Sequence, residues 1–194
     1  MIDIIFFFYV LLCFFVSTRI IGLNDRDQHD ADYLRAAMFL TVLADFCMLV
    51  WRENTVGLAL FIAAQFVHSK RYAKDVKRLA GGGAEMFFLC VFAAILIFAH
   101  INKTPARETL AGLYACSLLT SVTLSYIHAA KIPPPNRIMI PLGMTLFLLC
   151  DINVGLYNLS SGNNIFRIMI WVFYLPSQAL LALSAKDYHF SREA

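Results

Sequence analysis

The sequence predicts an all-α fold: a polytopic transmembrane helix bundle of about seven helices, forming a single transmembrane domain over residues 1–194. Three observations carry this reading. Of the 194 residues, 60% are hydrophobic and only 15% charged, whereas soluble domains run at about 45–50% and about 25%. The mean hydropathy is +0.67. Seven stretches also approach the roughly 20 apolar residues that a helix needs to cross a bilayer, with short loops between them. Together these exclude an ordinary soluble enzyme. A net charge of +3 needs no nucleic-acid partner to explain it.

The stretches run over residues 2–23, 33–51, 55–72, 84–102, 108–130, 137–157 and 164–185. The first is too long for a removable signal peptide and has no small-residue cleavage site, so it reads as a helix. Gly81, Gly82 and Gly83 punctuate the chain before the fourth helix, and Pro133, Pro134 and Pro135 separate the fifth from the sixth. Pro141 falls in the first turns of helix 6. Pro176 lies within helix 7, where it is expected to kink the helix and free a carbonyl for a neighbour. Cys13, Cys47, Cys90, Cys116 and Cys150 all fall in apolar stretches without a CxxC pair. They read as small hydrophobes rather than disulfides or metal ligands.

Basic residues set the direction of threading. With the N-terminus outside, only Arg52, Lys103, Arg107 and Arg167 fall on the outer side. The other twelve of the sixteen Lys and Arg fall inside, including the cluster Lys70, Arg71, Lys74, Lys77 and Arg78. The positive-inside bias therefore predicts N-out and C-in, and the basic loop reads as a topology anchor.

Eleven of the thirteen acidic residues lie in loops, tails or helix ends; Asp45 and Asp151 do not. A carboxylate at membrane depth costs about 2.5–3.5 kcal/mol on insertion scales and marks a functional candidate. Helices 2 and 6 point the same way. Asp45 precedes Arg52 by seven residues, as Asp151 precedes Asn158, so each sits roughly 10 Å below the outer boundary at 1.5 Å per residue. A weak internal echo surrounds them. Met38 and Met144 precede the two Asp by seven residues, and the next helices carry Phe61-x-x-x-Gln65 and Tyr174-x-x-x-Gln178. This predicts a parallel repeat of three helices, a linker helix and three helices, with the two Asp facing each other.

Tyr114 falls at the same depth as the carboxyls, whereas Gln65, Tyr174 and Gln178 are expected deeper, lining the floor of a cavity. Asn153, on another face from Asp151, reads as a helix stitch. Ser117, Ser121 and Ser125 read as packing residues. His68, His100 and His128 stand near helix ends without HxxxH or HExxH spacing, so neither a zinc nor a haem site is expected. No Gly-rich phosphate loop and no GxSxG elbow occurs, and no cofactor or metal is expected.

These residues carry a resemblance. LADFCML followed by GLALFIAAQFVHSKRY resembles the pattern GDxxL then GLxxFxxxHxxY of the YhhN (lysoplasmalogenase) family. GMTLFLLCDINVGLYNL and FYLPSQALLALS resemble that family's GxxLFxxSDxxLA and YxxxQxLIA. The match spans roughly residues 36–185 in the family's order and spacing and includes both acidic positions. Ala44 stands for the usual Gly, Cys150 for Ser, Gln65 for the family's His and His68 for its Tyr. The family's usual eighth helix and early Lys-Pro pair have no counterpart here. The resemblance implies an integral membrane hydrolase that cleaves the vinyl ether of lysoplasmalogens, releasing an aldehyde and a glycerophospho-ethanolamine or -choline.

The residues suit that chemistry in their own right. Vinyl ether hydrolysis needs an acid to protonate carbon and an anion to steady the resulting cation. Two carboxyls close together in a dry site titrate as a pair, one acid and one carboxylate. The catalytic candidates are thus Asp45 and Asp151, in either order, with Tyr114, Tyr174, Gln178 and Gln65 orienting substrate or water. The expected partners are a lysophospholipid substrate and the bilayer itself. The expected location is a bacterial inner membrane, with the endoplasmic reticulum as the alternative. A proton-coupled small-solute transporter using the same Asp pair is the rival reading. A closed-ended site favours the enzyme; a path reaching both faces favours transport.

Overall fold

The computed structural model describes residues 2–20, 28–73, 83–132, 135–160 and 162–184. Among these the chain forms seven helices and no strand: α1 (Ile2–Ile20), α2 (Gln28–Asp45), α3 (Asn54–Ala73), α4 (Gly83–Asn102), α5 (Ala106–Ala129), α6 (Asn136–Leu159) and α7 (Asn164–Leu183). Each predicted helix is present. Four helical spans are long and apolar enough to cross a membrane: α2 with its continuation to Trp51, α5, α6 and α7. Shorter apolar runs occur in α1 (Ile4–Arg19) and α4 (Cys90–Asn102). Gly81, Gly82, Pro133 and Pro134, and the basic residues Arg26, Lys74, Lys77, Arg78, Lys186 and Arg192, lie outside the described residues.

Helix α2 departs from the prediction at both ends. It starts at Gln28, five residues early, because its polar first turn contains Asp30, which a buried arginine engages. Immediately after Asp45 the α-helical pattern gives way to a π-helix over Phe46–Trp51, a wider turn that is rare and often found at functional sites. It ends at Arg52 in the left-handed conformation, φ 60°. The depth estimate for Asp45 assumed an α-helical rise to the helix end, and the π turn breaks that assumption. α6 remains α-helical from Asp151 to Leu159.

The helices pack as a closed series. α1 packs on α2, α2 on α3, α3 on α5, α5 on α6, α6 on α7, and α7 on α1, while α4 packs on α5 outside the series. Two consecutive triplets joined through a peripheral helix are the arrangement that the internal echo predicts. Its matched positions are all interior: Met38 with Met144, Phe61 with Tyr174, and Gln65 with Gln178 are each buried. Large apolar residues such as Phe8, Ile97, Phe98 and Ile168 face outward, as a lipid-facing surface requires.

Two glycines permit close helix approach. A Cβ on Gly57 would lie 2.3 Å from Met48 Cγ and 3.1 Å from the Ala44 carbonyl oxygen, and one on Gly143 would lie 3.0 Å from Leu181 Cγ. Small residues let backbones approach where lipid supplies no hydrophobic drive. α7 begins at an Asn163 cap, whose side chain accepts from the Ile165 amide, and it continues through Pro176. The carbonyl of Leu175, beside that proline, accepts from Tyr9 Oη at 3.1 Å, which ties α7 to α1.

Candidate functional site: two carboxyl–tyrosine pairs

The two intramembrane carboxyls sit on the facing helices α2 and α6, and each is held by a tyrosine from α5 or α7. Tyr174 Oη donates to Asp45 Oδ2 and Tyr114 Oη donates to Asp151 Oδ2, both at 2.5 Å. The two carboxyls lie within electrostatic reach of each other. Aromatic contacts connect the pairs: Phe61 meets Tyr114 with ring centroids 5.8 Å apart and Phe147 at 6.1 Å, and Phe147 meets Tyr174 at 5.7 Å. The carboxyls are therefore linked through a chain of tilted and edge-on rings.

The pairs are not equivalent. Asp45 is 5% exposed and Tyr174 is buried with it, whereas Asp151 and Tyr114 are half-buried. One carboxyl is sealed within the bundle and the other stands at an accessible edge between α5 and α6.

Each candidate named from the sequence can now be placed. Tyr114 bonds to Asp151, while Asp45 bonds to Tyr174. Tyr174, expected deeper, joins the carboxyls because a long side chain on a helix leans toward the helix N-terminus, which lifts its hydroxyl to Asp45. Gln65 is drawn elsewhere, with its Oε1 accepting from Ser121 Oγ at 2.6 Å, so it links α3 to α5. Gln178 and Ser177 are buried one turn below Tyr174, and neither side chain has a hydrogen-bond partner among the described residues. Asn153 bonds to its own helix, donating to the Leu149 carbonyl at 2.7 Å, rather than stitching two helices.

A second polar cluster, which sequence reasoning did not find, closes the other end of the bundle. Arg71 is 1% exposed. Its Nε and Nη2 donate to the two oxygens of Asp30 at 2.9 and 2.7 Å, and its Nη1 donates to Ser184 Oγ at 3.0 Å. This bidentate pair ties the start of α2 and the end of α3 to the residue that follows α7. Arg71 was read as part of a topology anchor, but its charge is committed inside the bundle. Beside it Tyr72 stacks on His68, with its hydroxyl 3.3 Å from Nδ1, and meets His128 on α5 at 5.7 Å. No local pattern announces these contacts, because Asp30 and Arg71 are 41 residues apart.

All five cysteines are free, and Cys13, Cys47 and Cys150 are buried, as expected of small apolar residues. Neither a curated protein nor a solved structure matches the chain. A family model does, over residues 4–185, which takes in both carboxyls, both tyrosines and Gln178; the chain belongs to the YhhN family.

Proposed function

We propose that this protein hydrolyses the vinyl ether of lysoplasmalogens with Asp45 and Asp151 as its acid–base pair. The observation that carries the reading is the pair of carboxyls, each gripped by a tyrosine, with the two tyrosines linked through the rings of Phe61 and Phe147. One carboxylic acid delivers its proton to the β-carbon of the vinyl ether, and the α-carbon becomes an oxocarbenium ion. The partner carboxylate steadies that cation and takes a proton from water as the water oxygen bonds to the α-carbon. The hemiacetal then breaks its bond to the glycerol oxygen, which takes the proton from the second carboxyl and leaves as a hydroxyl, while the hemiacetal hydroxyl gives its proton to the first carboxylate and an aldehyde remains. One water is consumed, and the proton given at the start is regained. Tyr114 and Tyr174 hold the carboxylate oxygens in place through this cycle, and Gln178 serves the bound substrate.

The half-buried Asp151–Tyr114 edge offers an approach for a single-chain lipid from the bilayer. The transporter reading has less support. The opposite end of the bundle is bolted by Arg71 to Asp30 and Ser184, across elements from both halves of the repeat, where transport would need an opening. In this reading the protein threads N-out and C-in, which suits a bacterial inner membrane.

The test is aldehyde release from choline and ethanolamine lysoplasmalogens by the purified protein in detergent. Asp45→Asn and Asp151→Asn run beside the wild type, with folding checked by size exclusion. Wild-type turnover, reduced by on the order of a thousandfold or more in each folded variant, is the expected result. A folded wild type that releases no aldehyde ends the hydrolase reading and brings solute uptake in vesicles forward.

A further inference from the structure

The two halves of the repeat build unlike walls below the carboxyls. On α3 the sequence of positions is Phe61, Ala64 and Gln65; on α7 the matching positions are Tyr174, Ser177 and Gln178. Residues three and four apart share one helix face, so each trio lines one face over one turn. The α3 trio is finished. Phe61 and Ala64 are apolar, and the Gln65 carbonyl oxygen is taken by Ser121. The α7 trio is open, because Ser177 Oγ, Gln178 Oε1 and Gln178 Nε2 are all buried without a partner among the described residues. Gln178 is 1% exposed and Ser177 fully buried. A buried amide left unpaired costs about 1–3 kcal/mol, and natural interiors retain few such groups.

We infer that the Gln178 carboxamide, with Ser177 beside it, recognises the free hydroxyl at the middle carbon of the substrate's glycerol and thereby selects single-chain over two-chain ether lipids. This rests on the hydrolase reading above. A carboxamide presents an acceptor and a donor group, and a hydroxyl both donates and accepts, so the two are complementary. An ester at that carbon has no proton to give to Oε1, and its acyl chain would have to enter the interior where Gln178 is buried. The spacing agrees as well. From the β-carbon of the vinyl ether to that hydroxyl oxygen there are only five bonds, a span comparable to the roughly 5.4 Å of one helical turn. That turn is the separation between Tyr174, which holds Asp45, and Gln178. The apolar α3 face of Phe61 and Ala64 is left to the hydrocarbon side of the ether.

The experiment compares a lysoplasmalogen with its analogue lacking the middle hydroxyl, both in detergent micelles, for wild type and for Gln178→Leu and Gln178→Met. Wild type should favour the hydroxylated ether in kcat/KM by about tenfold or more, the worth of a well-made buried hydrogen bond. In the folded variants that ratio should fall to about one, a change that a merely structural role for Gln178 would not produce. Equal wild-type rates on the two ethers overturn the assignment and leave the hydrolase reading intact, as does a ratio that persists in either folded variant. No aldehyde from either ether overturns the hydrolase reading itself. Should both variants fail to fold, the wild-type ratio still decides, because a ratio of one refutes recognition of the hydroxyl by any residue.

Discussion

At the scale of single residues, the site is defined by who holds each carboxyl. Asp45 and Asp151 occupy matched places in the two halves, yet their tyrosines come from α7 and α5, and the α3 residue matched to Tyr174 is Phe61. The chemistry of the two halves has diverged, and so has the backbone after each Asp, π-helical beyond Asp45 and α-helical beyond Asp151. A hydrogen bond to a charged group contributes about 1.5–3 kcal/mol. Tyr114→Phe and Tyr174→Phe should therefore each lower kcat by roughly ten- to hundredfold, with a smaller change in KM, in the aldehyde-release assay. Full activity in both would show that the tyrosines do not hold the reacting carboxyls.

At the scale of elements, the π turn from Phe46 to Trp51 and the start of α3 form one unit. Gly57 lets α3 approach the Ala44 carbonyl and Met48, directly beside Asp45. A methyl group there must displace the Met48 side chain and push the helix from a backbone oxygen. Overpacking of this kind costs about 1–3 kcal/mol. Gly57→Ala is thus expected to lower the melting temperature in detergent, read by thermal unfolding, and to reduce turnover because Asp45 shifts with the turn. An unchanged melting temperature would mean that α2 and α3 separate freely at this crossing. Gly143, against Leu181, performs the same task for α6 and α7.

At the scale of the whole molecule, the closed series of six helices has a carboxyl-bearing half and a bolted end. The carboxyls and their rings fill the one, and Arg71, Asp30, Ser184, His68 and Tyr72 close the other. Removing one member of a buried pair costs more than the pair contributes, since it strands the remaining charge. The bolt therefore resists the opening that transport would need. Threading belongs to this scale also. The excess of Lys and Arg at one end predicts that a reporter active only in the cytoplasm, fused after Ala194, gives signal, while one active only outside stays silent. The reverse pattern would invert the assigned topology and place the bolted end outside.

The seven helices, the membrane class and the two carboxyls were legible in the sequence, because hydrophobic length and a stray charge within it are local properties. The repeat was legible only as an echo of Met38, Asp45, Phe61 and Gln65 in Met144, Asp151, Tyr174 and Gln178. Tertiary structure decided what those residues do. It capped Gln65 with Ser121 and left Gln178 open, and it raised the Tyr174 hydroxyl to Asp45. It also turned Arg71 from a surface charge into an interior tie. The physical reason is the same throughout. A polar side chain in a membrane bundle must find partners across helices, and which helices meet depends on packing between segments far apart in the chain.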